Sequence, residues 1–326
     1  MSRRDEILRI EDLYVHFYTY AGVVKAIDGV NMSVLRGETY GLVGETGCGK
    51  SVTMRAVLRL IPPPGRIVKG RVIFNGVNLL ELPEEEMRKI RGAKIAYIVQ
   101  DPTAALDPLY TSGFQVAETI LAHEENVGKK SVWERVVSLF KSVLIPDAER
   151  RVKQYPHEFS GGMRQRVVIA CAISEKPELL IADEPTTSVD VTVQAQILEV
   201  LEDLKKTQEM TMILVTHNLG LVAQICDRVG VMYAGSIVEV SDVFRLFEEP
   251  LHPYTRGLLN AIPHVTRTQF RLEPIPGTIP DLINPPPGCR FHPRCKHATG
   301  ICKREKPKLR EIEPGRFVAC HLYRGD

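Results

Sequence analysis

The sequence predicts an α/β protein with a largely parallel sheet, an antiparallel β region, an inserted helical region and a small C-terminal extension. Two apolar runs, Glu178 to Ala182 and Met210 to Thr216, lack polar alternation, as strands buried on both faces do. Between them, Val193 to Lys206 carries apolar residues at helical spacing, which makes a βαβ unit. A third run, Tyr40 to Val43, leads straight into a glycine-rich loop.

The antiparallel region is predicted in the first third of the chain. Leu13 to Phe17 is a strand candidate, and Val30 to Val34 alternates apolar with polar residues. From about Pro102 to Pro177 the pattern is mostly helical. One apolar stripe marks a buried helix face, and its members are Val132, Val136, Leu139, Phe140, Val143 and Leu144.

The composition changes after about Ser241, where proline-rich segments favour extended connections over helices. We therefore predict a first domain over residues 1–240, with the helical region at about 102–177 inserted in it. An appended domain covers residues 241–326.

Composition excludes several classes of protein. The chain has 326 residues, of which 44% are hydrophobic and 25% charged, as in ordinary globular proteins. No apolar run approaches the roughly 18 residues of a membrane span, and residues 1–12 lack the apolar stretch of a signal peptide. A soluble, cytoplasmic protein is expected. The net charge of +2 gives no overall attraction to nucleic acid.

The glycine-rich loop fits the phosphate-binding pattern G-x-x-x-x-G-K-S/T and precedes a helix starting near Val52. Its residues are Gly44, Glu45, Thr46, Gly47, Cys48, Gly49, Lys50 and Ser51. Backbone N–H groups of such a loop wrap phosphates, Lys50 would reach the β and γ phosphates, and Ser51 would bind magnesium. Cys48 is either a small packing residue or an oxidation-sensitive thiol.

Two carboxylates, Asp183 and Glu184, follow the apolar strand at Leu179 to Ala182. Ligands bind at such strand ends in open α/β sheets. Asp183 would hold magnesium through its waters, and Glu184 would polarise the attacking water. The alternative for Glu184 is a surface ion pair. His217 ends the next strand and is either functional or an ordinary polar residue.

The run from Phe159 to Arg166 contains a second anion-binding element. Ser160 suits a helix N-cap, and Gly161 and Gly162 leave bare N–H groups ahead of an apolar helix from about Val167 to Ile173. An ordinary capped helix is the alternative.

These motifs, in this order, resemble those of ABC ATPases over roughly residues 7–240. The resemblance implies a RecA-like P-loop NTPase core that binds ATP and Mg²⁺. The Phe159 to Arg166 run resembles the family signature, with Met163 where the common form has Gln. In that family two cassettes pack head to tail. Ser160, Gly161, Gly162 and Met163 would thus meet the ATP bound by a second ABC ATPase subunit.

The same resemblance assigns the remaining site residues. Gln100 would be the Q-loop glutamine that reaches magnesium and water, and His217 the switch histidine at the γ-phosphate. Ser188 and Asp190 would belong to the D-loop at the dimer interface. Tyr20, in preference to Tyr18, would stack on adenine.

Four of the seven cysteines cluster near the C-terminus in the spacing C-x5-C-x6-C-x17-C, and they are Cys289, Cys295, Cys302 and Cys320. This spacing is looser than most structural zinc knuckles and favours an iron-sulfur cluster. Zinc and free thiols stay open, as does mixed ligation with His292, His297 or His321.

The segment His252 to Thr255, with Leu258, Leu259 and the later pair Pro276-Gly277, resembles the C-terminal extension of dipeptide and oligopeptide importer ATPases. The resemblance implies a 4Fe-4S cluster and a peripheral place on the cytoplasmic face of the membrane. It also implies two integral membrane permease subunits, which the helical region would contact, and an extracytoplasmic solute-binding protein. Nickel importers have similar ATPases, so nickel is an alternative cargo.

A soluble ABC ATPase acting on ribosomes or nucleic acid is a competing function. Such proteins usually carry two cassettes or a long coiled coil, and this chain has one copy of each motif. Its C-terminal basic residues are not interleaved with aromatics as a stacking surface requires. Nucleic acid is therefore not expected as a partner, and an exporter is disfavoured by the importer-like extension.

Overall fold

The computed structural model describes residues 6–124, 127–187, 189–261 and 275–323. The chain divides into two compact units. Residues 1–81 and 214–326 form the first unit, and residues 82–213 form the second.

The first unit begins with an antiparallel sheet. β1 (Glu6–Thr19) pairs with β2 (Gly22–Leu35) on one side and with β4 (Gly65–Phe74) on the other, and β4 also pairs with β5 (Val77–Asn78). Both strands predicted in this part of the chain fall inside β1 and β2 and are confirmed. Their alternating residues bury one face, as expected for an antiparallel sheet with one solvated side.

A second sheet of the first unit carries the glycine-rich loop. β3 (Thr39–Val43) is buried throughout and pairs in parallel with β9 (Arg228–Tyr233). Next come β10 (Ser236–Asp242), β12 (Arg316–Val318) and β11 (Arg310–Glu313), all antiparallel. The sequence did not indicate β11 and β12. Through them the C-terminal segment adds the edge of this sheet.

The helices of the first unit are short. They are α1 (Lys50–Val57), α9 (Leu219–Ile225), α10 (Val243–Glu248) and α11 (Pro253–Asn260). Within the described ranges, no helix is long and apolar enough to cross a membrane.

In the second unit, α2 (Glu84–Ile90) precedes β6 (Ile95–Ile98), which pairs in parallel with β7 (Leu179–Asp183). α8 (Val191–Thr207) follows, and along β8 (Thr211–Thr216) the chain passes into the first unit. Between β6 and β7 the described elements are helical. They are α3 (Pro102–Ala105), α4 (Ser112–Leu121), α5 (Lys129–Ser142), α6 (Ala148–Arg151), a 3₁₀ turn (Pro156–Glu158) and α7 (Gly161–Ile173).

The apolar stripe of α5 is confirmed at Val132, Val136 and Phe140, which are buried. Leu144 was wrongly included, because the helix ends at Ser142 and Leu144 is 56% exposed. A φ of +57° turns its backbone out of the helical path.

The carbonyls at the end of α5 are bound by a buried arginine of α7. Arg166 donates to the carbonyl oxygens of Val143 and Leu144 at 3.1 and 2.6 Å, and to Gln196 Oε1 at 2.8 Å. One guanidinium thus satisfies carbonyls that have no partner within their own helix. α7 itself begins at Gly161, earlier than the start near Val167 that the apolar residues had indicated.

α11 starts at a buried histidine. The Nδ1 atom of His252 accepts the N–H of Tyr254 at 3.0 Å, and the His252 N–H donates to Glu239 Oε2 at 2.8 Å. Burial lowers the pKa of His252 to about 3. The imidazole is therefore neutral in the folded protein, whereas in the unfolded chain it takes up a proton below its ordinary pKa near 6.5.

This difference predicts a pH-dependent contribution to stability. Since only the unfolded state binds a proton between these two pKa values, stability from His252 is complete above about pH 6.5 and falls as the pH drops. His252→Asn keeps a side-chain acceptor for the cap and cannot titrate. Lowering the pH from 7 to 5 should reduce the free energy of unfolding, measured with denaturant, by about 2 kcal/mol more in the wild type than in the variant. Equal losses in the two proteins would contradict the buried neutral histidine.

Candidate nucleotide-binding site

The phosphate loop connects β3 to α1 and requires glycine at its start. Gly44 has φ +153°, and a Cβ there would lie 2.1 Å from the carbonyl oxygen of Met232. No residue with a Cβ atom fits at this position, so only glycine is compatible with the loop. The Cys48 N–H donates to the Glu45 carbonyl at 3.2 Å, and the Cys48 carbonyl accepts the Gly235 N–H at 2.8 Å. The turn after β9 therefore supports the loop through the hydrogen bond from Gly235 to Cys48.

Lys50 lies folded into this loop. Its ammonium donates to the carbonyl oxygens of Gly44 and Glu45 at 2.7 and 3.2 Å, and the residue is buried. Neighbouring Cys48 is also buried, and burial raises the pKa of its thiol. A buried thiol with a raised pKa is a poor nucleophile, which favours the packing role for Cys48.

Glu45, the second residue of the loop, is bound from the C-terminal part of the chain. Its N–H donates to the Tyr254 hydroxyl at 2.9 Å. Its carboxylate accepts two N–H groups of Arg294, at 2.8 and 3.1 Å. Neither partner could be predicted from local sequence, since both lie more than two hundred positions away.

Tyr254 belongs to an aromatic group that packs behind the loop. Its ring lies 4.6 Å from that of Tyr233 and 5.5 Å from that of Phe291, centroid to centroid. Both ring pairs are tilted, with 58° between their planes, and lie at the centroid distances usual for aromatic pairs. The hydroxyl that binds Glu45 is therefore held by a packed support.

The two predicted acidic residues stand at the end of β7 in the second unit. Tyr97 donates its hydroxyl to Asp183 Oδ2 at 2.5 Å. Gln100 Nε2 and Thr187 Oγ1 both donate to Glu184 Oε2, at 2.9 and 2.8 Å. The sequence had named Gln100 and Glu184 separately, and the structure brings them together. Tyr97 and Thr187 had not been predicted.

Glu184 differs from an ordinary surface carboxylate. It is only 8% exposed and adopts a left-handed φ of +49°, which is uncommon for a residue other than glycine. Such strained backbone at a ligand-binding sheet edge is typical of functional positions. The two hydrogen bonds at one oxygen hold the carboxylate in a single orientation.

The predicted signature lies at the N-terminus of α7. The Ser160 hydroxyl accepts the Met163 N–H at 3.3 Å, so Ser160 is the N-cap. A Cβ on Gly162 would lie 2.4 Å from Val193 Cγ1 of α8, so glycine permits the close approach of the two helices. Ser160 is exposed and Gly161 half-buried, which leaves the helix start open to a ligand.

The other predicted residues lie at loop positions. Asp190 caps α8 by accepting the Val193 N–H at 2.9 Å, while Ser188 lies outside the described residues. His217 is exposed and follows β8. Tyr20 is fully exposed at the tip between β1 and β2, and Tyr18 lies under the Arg66 guanidinium.

The four C-terminal cysteines are free thiols of the first unit. The Cys289 N–H donates to the Cys302 carbonyl at 2.8 Å. Burial, with smaller contributions from Cys320, Cys302 and Cys295, raises the pKa of Cys289 to about 11. The four sulfur donors are therefore neighbours.

A closed metal site is not formed, however. Among the residues that the structure describes, no three His, Cys, Asp or Glu side chains are arranged to hold a metal ion. His292 Nδ1 and His321 Nε2 lie 2.9 and 2.8 Å from backbone carbonyl oxygens, so the other ring nitrogen of each is the atom that a metal could bind. The expected cluster therefore lacks a preformed geometry here.

Comparison with family models gives two matches. Residues 27–187 match the ABC transporter model, and residues 238–302 match the model of the oligopeptide/dipeptide transporter C-terminal region. The second match contains three of the four clustered cysteines.

Individual relatives match along nearly the whole chain. The "Probable peptide ABC transporter ATP-binding protein y4tR" of Sinorhizobium fredii is 50% identical over 98% of this chain and 95% of its own length. The dipeptide transport ATP-binding protein DppD of Bacillus subtilis is 47% identical over 98% and 95%. The oligopeptide transport ATP-binding protein OppD of that organism is 47% identical over 100% and 91%.

A solved structure gives the same fold. The cbiO1 protein of Clostridium perfringens, part of an ABC transporter complex, superposes with a TM-score of 0.63 at 26% identity, over 75% of this chain and 92% of its own. The phosphate loop, the acidic strand end and the capped glycine pair thus have a common explanation. The chain belongs to the ATP-hydrolysing, ATP-binding proteins of ABC transporters, in the group that carries the oligopeptide/dipeptide transporter C-terminal region.

Proposed function

We propose that this chain is the ATP-hydrolysing subunit of an importer that carries dipeptides or oligopeptides across the cytoplasmic membrane. The proposal rests on the match of residues 238–302 to the family model of the oligopeptide/dipeptide transporter C-terminal region. Relatives named for dipeptide and oligopeptide transport extend the similarity over almost the whole chain. These names favour peptides over nickel as cargo, and transport over work on ribosomes or nucleic acid.

The proposal divides the chain at about residue 240. Residues 1–240 would be the ATPase domain, with the helical region at about 102–177 contacting two integral membrane permease subunits. Residues 241–326 would be the importer-type extension. The protein would be peripheral on the cytoplasmic face of the membrane, and an extracytoplasmic solute-binding protein would deliver the peptide.

In the first unit, residues Gly44 to Val52 would hold the phosphates of ATP, and Tyr20 would stack on its adenine. A backbone already bent by Gly44 supports this role, because its shape need not change when phosphate arrives. Lys50 would exchange its loop carbonyls for phosphate oxygens, which bind an ammonium more strongly. His217 would contact the γ-phosphate.

The oxygen donors assigned to magnesium suit that ion, which prefers carboxylate, hydroxyl and water oxygens. Asp183, Ser51 and Gln100 would hold it. When bound, magnesium neutralises charge that develops on the transferring phosphoryl group. Tyr97 keeps the Asp183 carboxylate oriented through its hydroxyl.

Glu184 would orient and polarise the water that attacks the γ-phosphate. The support for this role is its buried carboxylate, which Gln100 and Thr187 hold in one orientation through the same oxygen. A positioned carboxylate needs no reorganisation at the moment of reaction, and this lowers the barrier.

The second half of each ATP site would come from another ABC ATPase subunit, identical or homologous. The exposed N-terminus of α7, with Ser160, Gly161, Gly162 and Met163, would face the partner's ATP, and Ser188 and Asp190 would lie at the same interface. Support comes from the open N–H groups of a helix capped by Ser160. ATP would then favour the dimer and hydrolysis would release it.

Glu184→Gln tests the proposed reaction in the assembled transporter reconstituted with peptide outside. ATP hydrolysis should fall roughly hundredfold or more, because a positioned base contributes about that much. Peptide uptake should fall with it, while ATP still binds. Glu178→Gln is a matched control, since Glu178 precedes the opposite end of β7 and forms an ion pair with Lys94. Hydrolysis unchanged in Glu184→Gln would remove its catalytic role, and ATP-dependent uptake of nickel without peptides would overturn the cargo.

The cluster forms a separate part of the proposal. Cys289, Cys295, Cys302 and Cys320 would hold a 4Fe-4S cluster with a structural role, and the support is that four half-buried thiols are neighbours. Four thiolates also suit zinc, and this is the alternative. Either group would require the sulfur atoms to close around it.

Anaerobic purification distinguishes the two. A brown protein with about four iron and four sulfide per chain is expected, and Cys295→Ser should lose the colour. Cys171→Ser is the matched control, because Cys171 lies on α7 in the other unit. A colourless protein with one zinc per chain, or with no metal, would contradict the cluster.

A further inference from the structure

Arg294, which binds Glu45 of the phosphate loop, lies within residues 289–302. This stretch contains three of the four clustered cysteines and is called the cysteine segment below. Arg294 is part of the 3₁₀ turn His292–Arg294, between Cys289 and Cys295. Two of its N–H groups donate to the two carboxylate oxygens of Glu45, at 2.8 and 3.1 Å. This is a two-pronged arginine–carboxylate pair, which fixes direction as well as distance.

Arg294 is itself held in place. It is 8% exposed, and its Nε donates to the Pro276 carbonyl at 2.9 Å. Its guanidinium lies over the Tyr233 ring, 5.7 Å from the centroid, and reaches the Tyr233 hydroxyl at 3.4 Å. The hydrogen bond to Glu45 raises the pKa of Arg294 further above its ordinary value. A guanidinium fixed on so many sides loses little freedom when it binds Glu45.

The turn that carries Arg294 is built from the cysteine backbone. The Cys289 carbonyl accepts the His292 N–H at 2.9 Å, and the Cys295 N–H donates to the His292 carbonyl at 3.3 Å. Cys289 in turn is tied to Cys302 through its own N–H. The backbone conformation of the cysteine segment therefore determines where Arg294 lies.

On the loop side, Glu45 is fixed at each of its polar groups. Tyr254 binds its N–H, Arg294 binds its carboxylate, and its carbonyl accepts from Cys48 and Lys50. Release of the carboxylate would leave a partly buried charge without its cation and loosen the loop next to Lys50. N–H groups that bind phosphate well are those already held in direction.

We infer that Arg294 is a positioning residue through which the cysteine segment sets the affinity of the phosphate loop for nucleotide. This inference rests on the proposed role of residues 44–52 in nucleotide binding. It assigns the C-terminal extension a function in the ATP site of the same chain.

The test measures the dissociation constant of a fluorescent trinitrophenyl analogue of ATP, with Mg²⁺, on the purified full-length chain. Arg294→Gln should raise the dissociation constant roughly tenfold, a typical size for coupled sites. Glu45→Gln should raise it by a similar factor. Because both variants break the same contact, the double variant should bind no more weakly than the weaker single variant.

Two lysine variants separate positioning from general destabilisation. Arg294→Lys keeps the charge and loses the fork, so it should restore part of the affinity lost in Arg294→Gln. Arg316→Lys is the matched control. Arg316 is a buried arginine of β12, and its ion pairs are with Glu249 and Glu313, at 3.4 and 3.3 Å. Its variant should change melting temperature without changing the dissociation constant beyond about twofold.

Unchanged affinity in Arg294→Gln, or losses that multiply in the double variant, would overturn the inference. If Arg294→Gln fails to fold, Arg294→Lys combined with Glu45→Gln supplies the same comparison. Lys50→Ala distinguishes the failure of the proposed site. If Lys50→Ala binds nucleotide like the wild type, the phosphate-loop assignment fails. If it abolishes binding while the Arg294 variants have no effect, only the inference fails.

Discussion

The phosphate loop must present its N–H groups in fixed directions before a phosphate arrives, and most of the interactions around it serve this requirement. Gly44 makes the bend, Lys50 binds two carbonyl oxygens from inside the loop, and the Gly235 N–H supports it from the turn after β9. Glu45 is the half-buried second residue of this loop, and Arg294 and Tyr254 hold it. A loop ordered in advance loses less conformational entropy on binding, so more of the interaction energy appears as affinity.

The same principle applies to the acidic strand end in the second unit. Glu184 adopts an uncommon backbone conformation, and Gln100 and Thr187 bind the same oxygen of its carboxylate. Asp183 is almost fully buried and accepts the Tyr97 hydroxyl. Each carboxylate is oriented by neighbours from its own unit. The hydrogen bonds from Tyr97, Gln100 and Thr187 lie within residues 82–213 and hold the carboxylates in the orientation that the proposed chemistry requires.

Sequence patterns predicted those features that depend on neighbouring residues. The spacing of Gly44, Lys50 and Ser51 indicated the loop, and Ser160 before two glycines indicated the N-cap of α7. Long-range partners were not predictable, because nothing in local spacing connects Arg294 with Glu45. Leu144 was misassigned, since the apolar pattern continued two residues beyond Ser142, where the helix ends. β11 and β12 were missed because both are very short, β11 is mainly charged, and β12 pairs with a strand almost eighty positions earlier.

If Arg294 of the C-terminal extension holds the phosphate loop in its binding conformation, the loop backbone should open more readily without this arginine. Hydrogen–deuterium exchange of the peptide covering residues 44–51 measures this directly in the full-length chain, compared between the wild type and Arg294→Gln. We expect faster exchange of this peptide in the variant, with unchanged exchange for the peptides of β6 and β7 in the second unit. Identical exchange of the loop peptide in the two proteins would contradict it.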